Sequence, residues 1–231
     1  DKTLNPTSYY DLKTDHPGFD WDNFFKETGV FSLNTLNVNQ PDTLKPLIEL
    51  VNNQSLETWK NYLIFHLVMK NSSLLSEKLD GMNFEFRKVL TGQKEQLPRW
   101  KRGIQRVGSR YGLGSLLGKL YVERHFPPSS KEKMIDLVNN LRQAFRNRIE
   151  AIDWMTEETK KEAYRKLSSF EPKIGYPENW GDLTAIEIDQ AELFLNARRI
   201  QNFFQKRDIR KLGKKTDRTE WFMSAHNVNA Y

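Results

Sequence analysis

Four histidines are the side chains best suited to metal or acid–base chemistry: His16, His66, His125 and His226. Two zinc ligands on one helix stand at positions i and i+4, as in H-E-x-x-H. The closest histidines here lie 50 residues apart in sequence, so no helical pair of ligands exists. A metal site assembled from distant histidines stays an alternative. The simpler interpretation is that His66 packs against its own helix, that His125 ends a helix and that His16 lies in a turn.

Other reactive groups are equally sparse. The chain contains no cysteine, which excludes disulfides, thiol catalysis and thiolate metal ligation. Glu157 and Glu158 are adjacent, and neighbouring residues on a helix diverge by about 100°, so they do not face each other as an acid–base pair. We interpret them as first-turn residues of a helix, where carboxylates interact favourably with the helix dipole.

Three glycines, Gly112, Gly114 and Gly118, form the pattern G-x-G-x-x-x-G. A dinucleotide-binding loop needs G-x-G-x-x-G between a buried strand and a helix. Residues 101–106, which precede these glycines, are charged and are not typical of a buried strand. The pattern therefore indicates close packing of a helix against a neighbour.

Two basic clusters are compatible with nucleic-acid binding, because Lys and Arg contact phosphates. The net charge is only +6, however, with 36 basic against 30 acidic residues, and charge runs are usually solvated faces. A non-catalytic helical binding module, for nucleic acid or protein, stays the alternative function. The clusters are Lys94, Arg99, Lys101, Arg102, Arg106 and Arg110, and Lys206, Arg207, Arg210, Lys211, Lys214, Lys215 and Arg218.

Apolar periodicity predicts a mainly α-helical fold. No apolar run approaches the roughly 20 residues of a membrane span, and the longest covers residues 62–65. Ser55 and Thr156 are predicted N-caps, and Ser129 with Glu132 fits the S-x-x-E capping box. The predicted helices cover residues 41–53, 56–67, 99–125 with glycine interruptions, 130–152, 157–167 and 187–207.

The character of the sequence changes near Gly213. Residues 219–223 and 227–231 are short runs of β-prone side chains, which predicts strands. We therefore divide the chain into a helical domain over residues 1–212 and a linker with strands over residues 213–231.

Six segments carry a family resemblance when taken in order. They are PRWKR at 98–102, GKLYVE at 118–123, DWMTEETK at 153–160, KL at 166–167, KIGYP at 173–177, and EW at 220–221 leading to VNAY at 228–231. Each is weak alone, but their order and separations are specific. Together they resemble the neprilysin and endothelin-converting enzyme family of zinc endopeptidases, over nearly the whole chain and more loosely before residue 40.

The resemblance implies two mainly helical lobes around a closed chamber. Residues 1–212 would form part of the capping lobe, and residues 213–231 would cross into the catalytic lobe. Asn229 would bind the substrate backbone through its side-chain amide, and Ala230 would offer its carbonyl near the scissile bond. An edge strand suits this role, since its unpaired backbone groups can accept a peptide as a further strand.

The chain also departs from the family. It lacks H-E-x-x-H and the later acidic ligand, histidine and arginine, so we assign it no metal ligand and no catalytic residue. Gly103 stands where animal members carry cysteine, which favours a bacterial-type member. Such a protein would be exported, located in the cell envelope or cytoplasmic, and the sequence does not decide between these. We expect an internal segment of a zinc endopeptidase that is inactive alone, with zinc on the remaining catalytic-lobe polypeptide. A zinc-free scaffold is the other alternative.

The substrates implied are short peptides, cleaved on the amino side of large hydrophobic residues. This preference follows from the resemblance alone.

Overall fold

The computed structural model describes residues 3–30 and 34–229, which form ten α-helices and one two-stranded sheet. Strand β1 (Pro6–Ser8) pairs antiparallel with β2 (Thr35–Asn37), with Thr7 opposite Leu36. The predicted mainly α-helical fold is confirmed. The helices are α1 (Tyr9–Asp15), α2 (Trp21–Thr28), α3 (Leu44–Asn53), α4 (Leu56–Asn71), α5 (Glu77–Thr91), α6 (Arg99–Val107), α7 (Gly114–His125), α8 (Pro128–Ala151), α9 (Glu157–Ser168) and α10 (Leu193–Ile209).

Two predicted N-caps are confirmed. The Ser55 hydroxyl accepts a hydrogen bond from the Thr58 backbone N–H at 3.1 Å and begins α4. Thr156 does the same at α9, where its hydroxyl lies 3.3 Å from the Thr159 nitrogen. Each hydroxyl satisfies an amide that has no partner within its own helix.

The predicted capping box at Ser129 and Glu132 is wrong. Pro128 is the first residue of α8, and the capping residue is Pro127, which makes no side-chain cap bond. The fixed φ of proline suits the first helical position, so the helix begins ahead of Ser129 and places that residue inside its first turn.

One predicted interruption is present and one boundary differs. The region 99–125 is interrupted at its glycines and forms α6 and α7, joined through a turn in which Leu113 N donates to Val107 O at 2.7 Å. Helix α10 begins at Leu193 and not near 187, because Asp189 forms a turn stabilised by Asn196, whose Oδ1 accepts from the Asp189 N–H.

The chain divides into two compact units. The first comprises Asp1–Gln96 with Gln205–Leu212, and the second comprises Leu97–Phe204 with Gly213–Tyr231. The predicted division at residue 212 between two lobes of a larger enzyme stays a prediction.

The first unit has a small core. Its buried apolar residues in the described part are Leu12, Val38 and Ile48. An aromatic cluster adds to this core, with edge-to-face contacts that favour such ring pairs. The cluster contains Tyr9, Phe19, Trp21, Phe24 and Phe25.

The second unit is organised by the packing of α8 on α9. Arg142 of α8 donates to the carbonyl of Leu167, which is itself buried, at 3.3 Å. Lys160 of α9 donates to the Glu150 carbonyl at 3.1 Å. Across the described ranges of both units, no helix combines the length and apolar character needed to cross a bilayer.

Candidate functional site

Segment 213–229 follows α10 and leads to the predicted substrate-binding residues. The predicted strand at 219–223 is absent, and the described part of 227–231 contains no strand. Its backbone amides bond to nearby carbonyls instead, including Glu220 N to Asp217 O and Asn227 N to Ser224 O. A β-strand forms its backbone hydrogen bonds with a neighbouring strand. These amides bond instead to carbonyls within turns, so that no strand forms here. The fold prediction is therefore corrected for this stretch.

Contacts with residues elsewhere in the chain hold this segment in place. Arg110 Nη2 lies 3.2 Å from Glu220 Oε1, with both side chains less than one third exposed. Lys173 Nζ donates to the Glu220 carbonyl oxygen. Arg218 Nη2 donates to the Ser169 carbonyl at 2.7 Å. The position of the segment is therefore fixed by charged hydrogen bonds, which are stronger than neutral ones.

Aromatic rings complete the contacts around Glu220. The Arg110 guanidinium lies 4.2 Å from the centre of the Phe222 ring and 5.1 Å from that of Tyr111. Lys173 Nζ lies 5.5 Å from the Phe222 ring centre. A cation near an aromatic face is attracted by the ring quadrupole, so Arg110 is held by a carboxylate and two rings at once.

Residues 224–226 pack closely against three glycines, Gly108, Gly114 and Gly118. We call these three residues the glycine track. A Cβ at Gly108 would lie 2.7 Å from His226 Nε2, and one at Gly118 would lie 3.2 Å from the Ala225 nitrogen. A Cβ at Gly114 would meet the Ser224 hydroxyl well inside 3.0 Å.

The predicted use of small residues for close packing is therefore confirmed at Gly114 and Gly118. The segment packs on the track through a hydrogen bond as well as through close contact. Ser224 Oγ donates to the Gly108 carbonyl at 3.1 Å.

His226 is the histidine at this site. Burial lowers its pKa, since removal from water disfavours the charged imidazolium. Its Nδ1 is buried, and none of the described residues forms a hydrogen bond with it. The ring therefore acts as a packed, neutral group against Gly108.

Beyond His226 the chain emerges into solvent. Asn227, Val228 and Asn229 are exposed, and Val228 is 99% exposed. The Asn229 amide N–H donates to the Asn227 carbonyl at 3.1 Å, which gives the end of this stretch a local turn. The other predicted substrate-binding residue, Ala230, lies outside the described residues.

The histidines are not brought together. His66 lies against the ring of Tyr62 and His125 against that of Tyr121, with ring centroids 4.3 and 4.9 Å apart. Within residues 3–30 and 34–229, no group of three or more His, Asp or Glu side chains is arranged to hold a metal ion. The described residues therefore do not fit a zinc ion, and we derive no step through one.

Basic residues of the two clusters take part in internal contacts. Arg110 pairs with Glu220, Lys211 Nζ lies 2.9 Å from Asp208 Oδ1, and Arg102 Nε donates to the Leu97 carbonyl. These contacts give the charges a structural role inside the protein.

Sequence reasoning missed the residues that hold segment 213–229. From the sequence alone, Arg110 belongs to a basic cluster, and Lys173 and Glu220 belong to family motifs. Arg110 and Glu220 are 110 positions apart, and a single sequence shows no periodicity over that distance. Only the glycines pointed to this packing from the sequence, because small residues allow a neighbouring segment to approach a helix closely.

Comparisons with known proteins agree with this architecture. The sequence model described as Peptidase family M13 matches residues 1–177. Neprilysin-11 from Caenorhabditis elegans is 29% identical over 245 residues, covering 100% of this chain and 29% of that protein. Human endothelin-converting enzyme 1 is 29% identical over 238 residues, covering 96% of this chain and 30% of its own length.

A solved structure agrees over the whole chain. The zinc metalloprotease Zmp1 of Mycobacterium tuberculosis, in its open state, has a TM-score of 0.87 and 36% identity. The match covers 100% of this chain and 36% of the Zmp1 chain. This chain spans about a third of the length of the relatives that it matches. Since the family model matches more than half of its residues, the chain belongs to peptidase family M13, with neprilysin-like relatives.

Proposed function

We propose that this chain is part of a zinc-dependent endopeptidase of short peptides and that it supplies a substrate-binding segment. The observation that carries the proposal is that Arg110, Lys173 and the glycine track fix the base of segment 213–229, which leads to Asn229. The similarity to the zinc metalloprotease Zmp1 supports the reaction class. The zinc ligands and the general base lie on further polypeptide in this proposal.

Asn229 binds the substrate backbone through its side-chain amide, and Ala230 offers its carbonyl to the residue near the scissile bond. The amide of Asn229 has one acceptor and two donor positions, which match the N–H and C=O groups of an extended peptide. The fixed base of segment 213–229 supports this role, because a peptide can add only beside a backbone that is held in place.

Cleavage takes place on the amino side of large hydrophobic residues in this proposal, which rests on the resemblance of the six motifs. A peptide series that differs only at the residue after the scissile bond tests it. We expect Phe and Leu to exceed Ala and Asp in kcat/KM. Equal rates, or a preference for Asp, would overturn the specificity while leaving the reaction class standing.

The first experiment is to isolate the native protein from its source and to measure intact mass, zinc content and hydrolysis of a Phe-containing peptide on one sample. About one zinc per molecule with hydrolysis is expected. A native protein that has no zinc and hydrolyses no peptide overturns the proposal.

The role of Asn229 needs a substitution in that native protein. We expect Asn229→Ala to lower kcat/KM about 5- to 10-fold, the effect of losing one or two neutral hydrogen bonds, with unchanged zinc content. Asn227→Ala is the matched control, because Asn227 is also exposed and lies two positions earlier. Equal losses in both variants would contradict a specific role for Asn229.

A further inference from the structure

Helix α4 has the composition of a buried helix but is not buried within this chain. All of its residues, Leu56–Asn71, are described, and none of them is buried. Residues 61–69 include seven apolar side chains and no Asp, Glu, Lys or Arg. A helix that is apolar on all sides is typical of the interior of a large protein or of a membrane span.

Four consecutive side chains in the middle of α4 are exposed. Leu63, Ile64 and Phe65 are 61%, 59% and 63% exposed. Successive residues of an α-helix point about 100° apart, so these three side chains cover most of the circumference. Tyr62, at 52% exposed, adds a fourth direction. The chain therefore encloses no face of α4 completely at this level, although His66, Val68 and Met69 are half-buried.

A membrane does not suit α4. The helix has 16 residues, fewer than the roughly 20 that cross a bilayer. Glu57, Lys60 and Lys70 lie within it, so that the uncharged part is shorter still. The composition of α4 therefore corresponds to a helix enclosed by protein.

The total surface supports the same conclusion. Two separate folded units of half the 27.3 kDa mass would together expose about 13,000 Å², and one compact protein about 11,000 Å². The chain exposes 18233 Å². The difference is larger than division into two units produces, and the exposed apolar side chains of α4 contribute to it.

A second helix of the same unit has an exposed apolar stripe. Met82, Phe86, Val89 and Leu90 of α5 are between 60% and 79% exposed. Their spacing of four, three and one residues places them on one side of the helix. Helix α5 therefore presents one apolar face, whereas α4 presents several.

We propose that α4 is an interior helix of the complete M13 enzyme, enclosed by at least two further elements of that enzyme's polypeptide. One added helix covers a stripe of roughly 100°, so one element does not enclose α4. A second copy of this chain in a two-fold dimer presents one patch, and it too covers a single side. Nearly two thirds of the Zmp1 chain lies outside the part that aligns with this one, which is ample polypeptide for the role.

The chemistry of the covering elements follows from α4. They present apolar side chains to Tyr62, Leu63 and Phe65, since no charge on residues 61–69 calls for an ionic partner. His66, which is half-buried, is the one histidine in this stretch and calls for a hydrogen-bonding group. The inference does not depend on peptidase activity, because it concerns packing and not zinc or substrate.

The absence of cysteine provides a direct test, because one introduced thiol is the only one in the 231-residue chain. In the native polypeptide, labelling of the unsubstituted protein is measured in parallel and subtracted. Leu63→Cys and Phe65→Cys are made separately in the 231-residue chain and in the native polypeptide from its source. Maleimide labelling is measured on each folded protein and on the same variant in urea, so that every variant has its own unfolded reference. Hydrogen exchange of the α4 amides in the unsubstituted proteins covers the case in which a variant does not fold.

We expect labelling in the 231-residue chain to be within about 10-fold of the unfolded rate, and to be more than about 100-fold slower in the native polypeptide. Light scattering is expected to give a mass near 27.3 kDa for the chain. Equal labelling in both proteins, or a native polypeptide no longer than this chain, overturns the proposal. Protection in the chain alone together with twice its mass also overturns it, because a second copy would then be the occupant.

Discussion

Arg110 and Glu220 form an ion pair across 110 residues of sequence, with Arg110 Nη2 3.2 Å from Glu220 Oε1. The pair joins the turn after α6 to segment 213–229, nine residues before Asn229. Both side chains are partly shielded from water, at 28% and 22% exposed, so the pair is less screened than a surface pair. It is therefore the contact that we expect to contribute most to the position of the segment.

Arg110→Ala should reduce the free energy of unfolding by about 1–3 kcal/mol, because the Glu220 carboxylate loses a charged hydrogen bond and Phe222 loses a cation near its ring. Arg110→Lys should cost less, since it keeps the charge but loses the planar guanidinium. Urea unfolding measures the cost, and hydrogen exchange of residues 220–229 reports the local loosening. Arg165→Ala is the control, because Arg165 and Glu162 are 73% and 64% exposed, and we expect about 0–1 kcal/mol there. Equal costs at the two sites would contradict this ranking.

The glycine track should be intolerant of a single added methyl group. Gly114→Ala brings a Cβ into the Ser224 hydroxyl and the Gly108 carbonyl, so the segment must shift. Gly118→Ala should be milder, since its nearest contact would be 3.2 Å.

Gly103→Ala is the matched control for the track, because a Cβ there meets nothing within 4 Å. It should stabilise α6 by about 1 kcal/mol, as alanine is the better helix former. Thermal unfolding of the three variants measures the order, with Gly103→Ala highest and Gly114→Ala lowest. Destabilisation by Gly103→Ala to the level of Gly114→Ala would show that the effect is not one of space.

Local signals carried most of the fold prediction. Ser55 and Thr156 were identified as N-caps because a cap depends on a hydroxyl and an amide only three residues apart. Apolar spacing predicts α3, α4 and α6 to α10 for the same reason, whereas α1, α2 and α5 were not predicted. The capping box at Ser129 failed because a competing local signal, Pro128 at the first helical position, had priority.

Non-local contacts account for the rest. The strand at 219–223 was predicted from residue type, but a strand exists only with a neighbour, and its neighbour is not encoded in those residues. Asn229 was identified through motif order, whereas Arg110 and Lys173 became relevant only when folding placed them beside Glu220. The glycines were partly informative. Small residues indicate that another part of the chain packs closely against them, but they do not identify that part.

Ser55→Ala should destabilise the start of α4 by about 1 kcal/mol, because the Thr58 amide loses the hydroxyl that accepts its hydrogen bond. Ser76→Ala provides a comparison at the first residue before α5, where the serine makes no side-chain cap bond, and it should change stability little. Hydrogen exchange of the first-turn amides of each helix measures both. A similar loss at Ser76 would mean that helix propensity and not capping is responsible.

Acidification should loosen residues 224–226 through His226. Burial lowers the folded-state pKa of this imidazole, while in the unfolded chain it titrates near its ordinary value of 6.5. Above pH 6.5 both states hold a neutral ring, and His226 gives no pH dependence. As pH falls below 6.5 the unfolded state binds the proton first, so stability declines until the folded-state pKa is also passed.

His226→Gln removes the titrating group while keeping a polar side chain at the track. Urea unfolding of both proteins between pH 7.5 and 5 should therefore give a steeper loss for the unsubstituted protein than for the variant. The difference between the two curves isolates His226 from every other titrating side chain. NMR titration of the ring should give a pKa below 6.5. Protonation would place a charge on a ring that packs against Gly108 and whose buried Nδ1 forms no hydrogen bond with a described residue. Parallel curves, or a pKa at or above 6.5, would show that the imidazole is hydrated in the folded protein. The neutral ring would then not stabilise the position of residues 224–226.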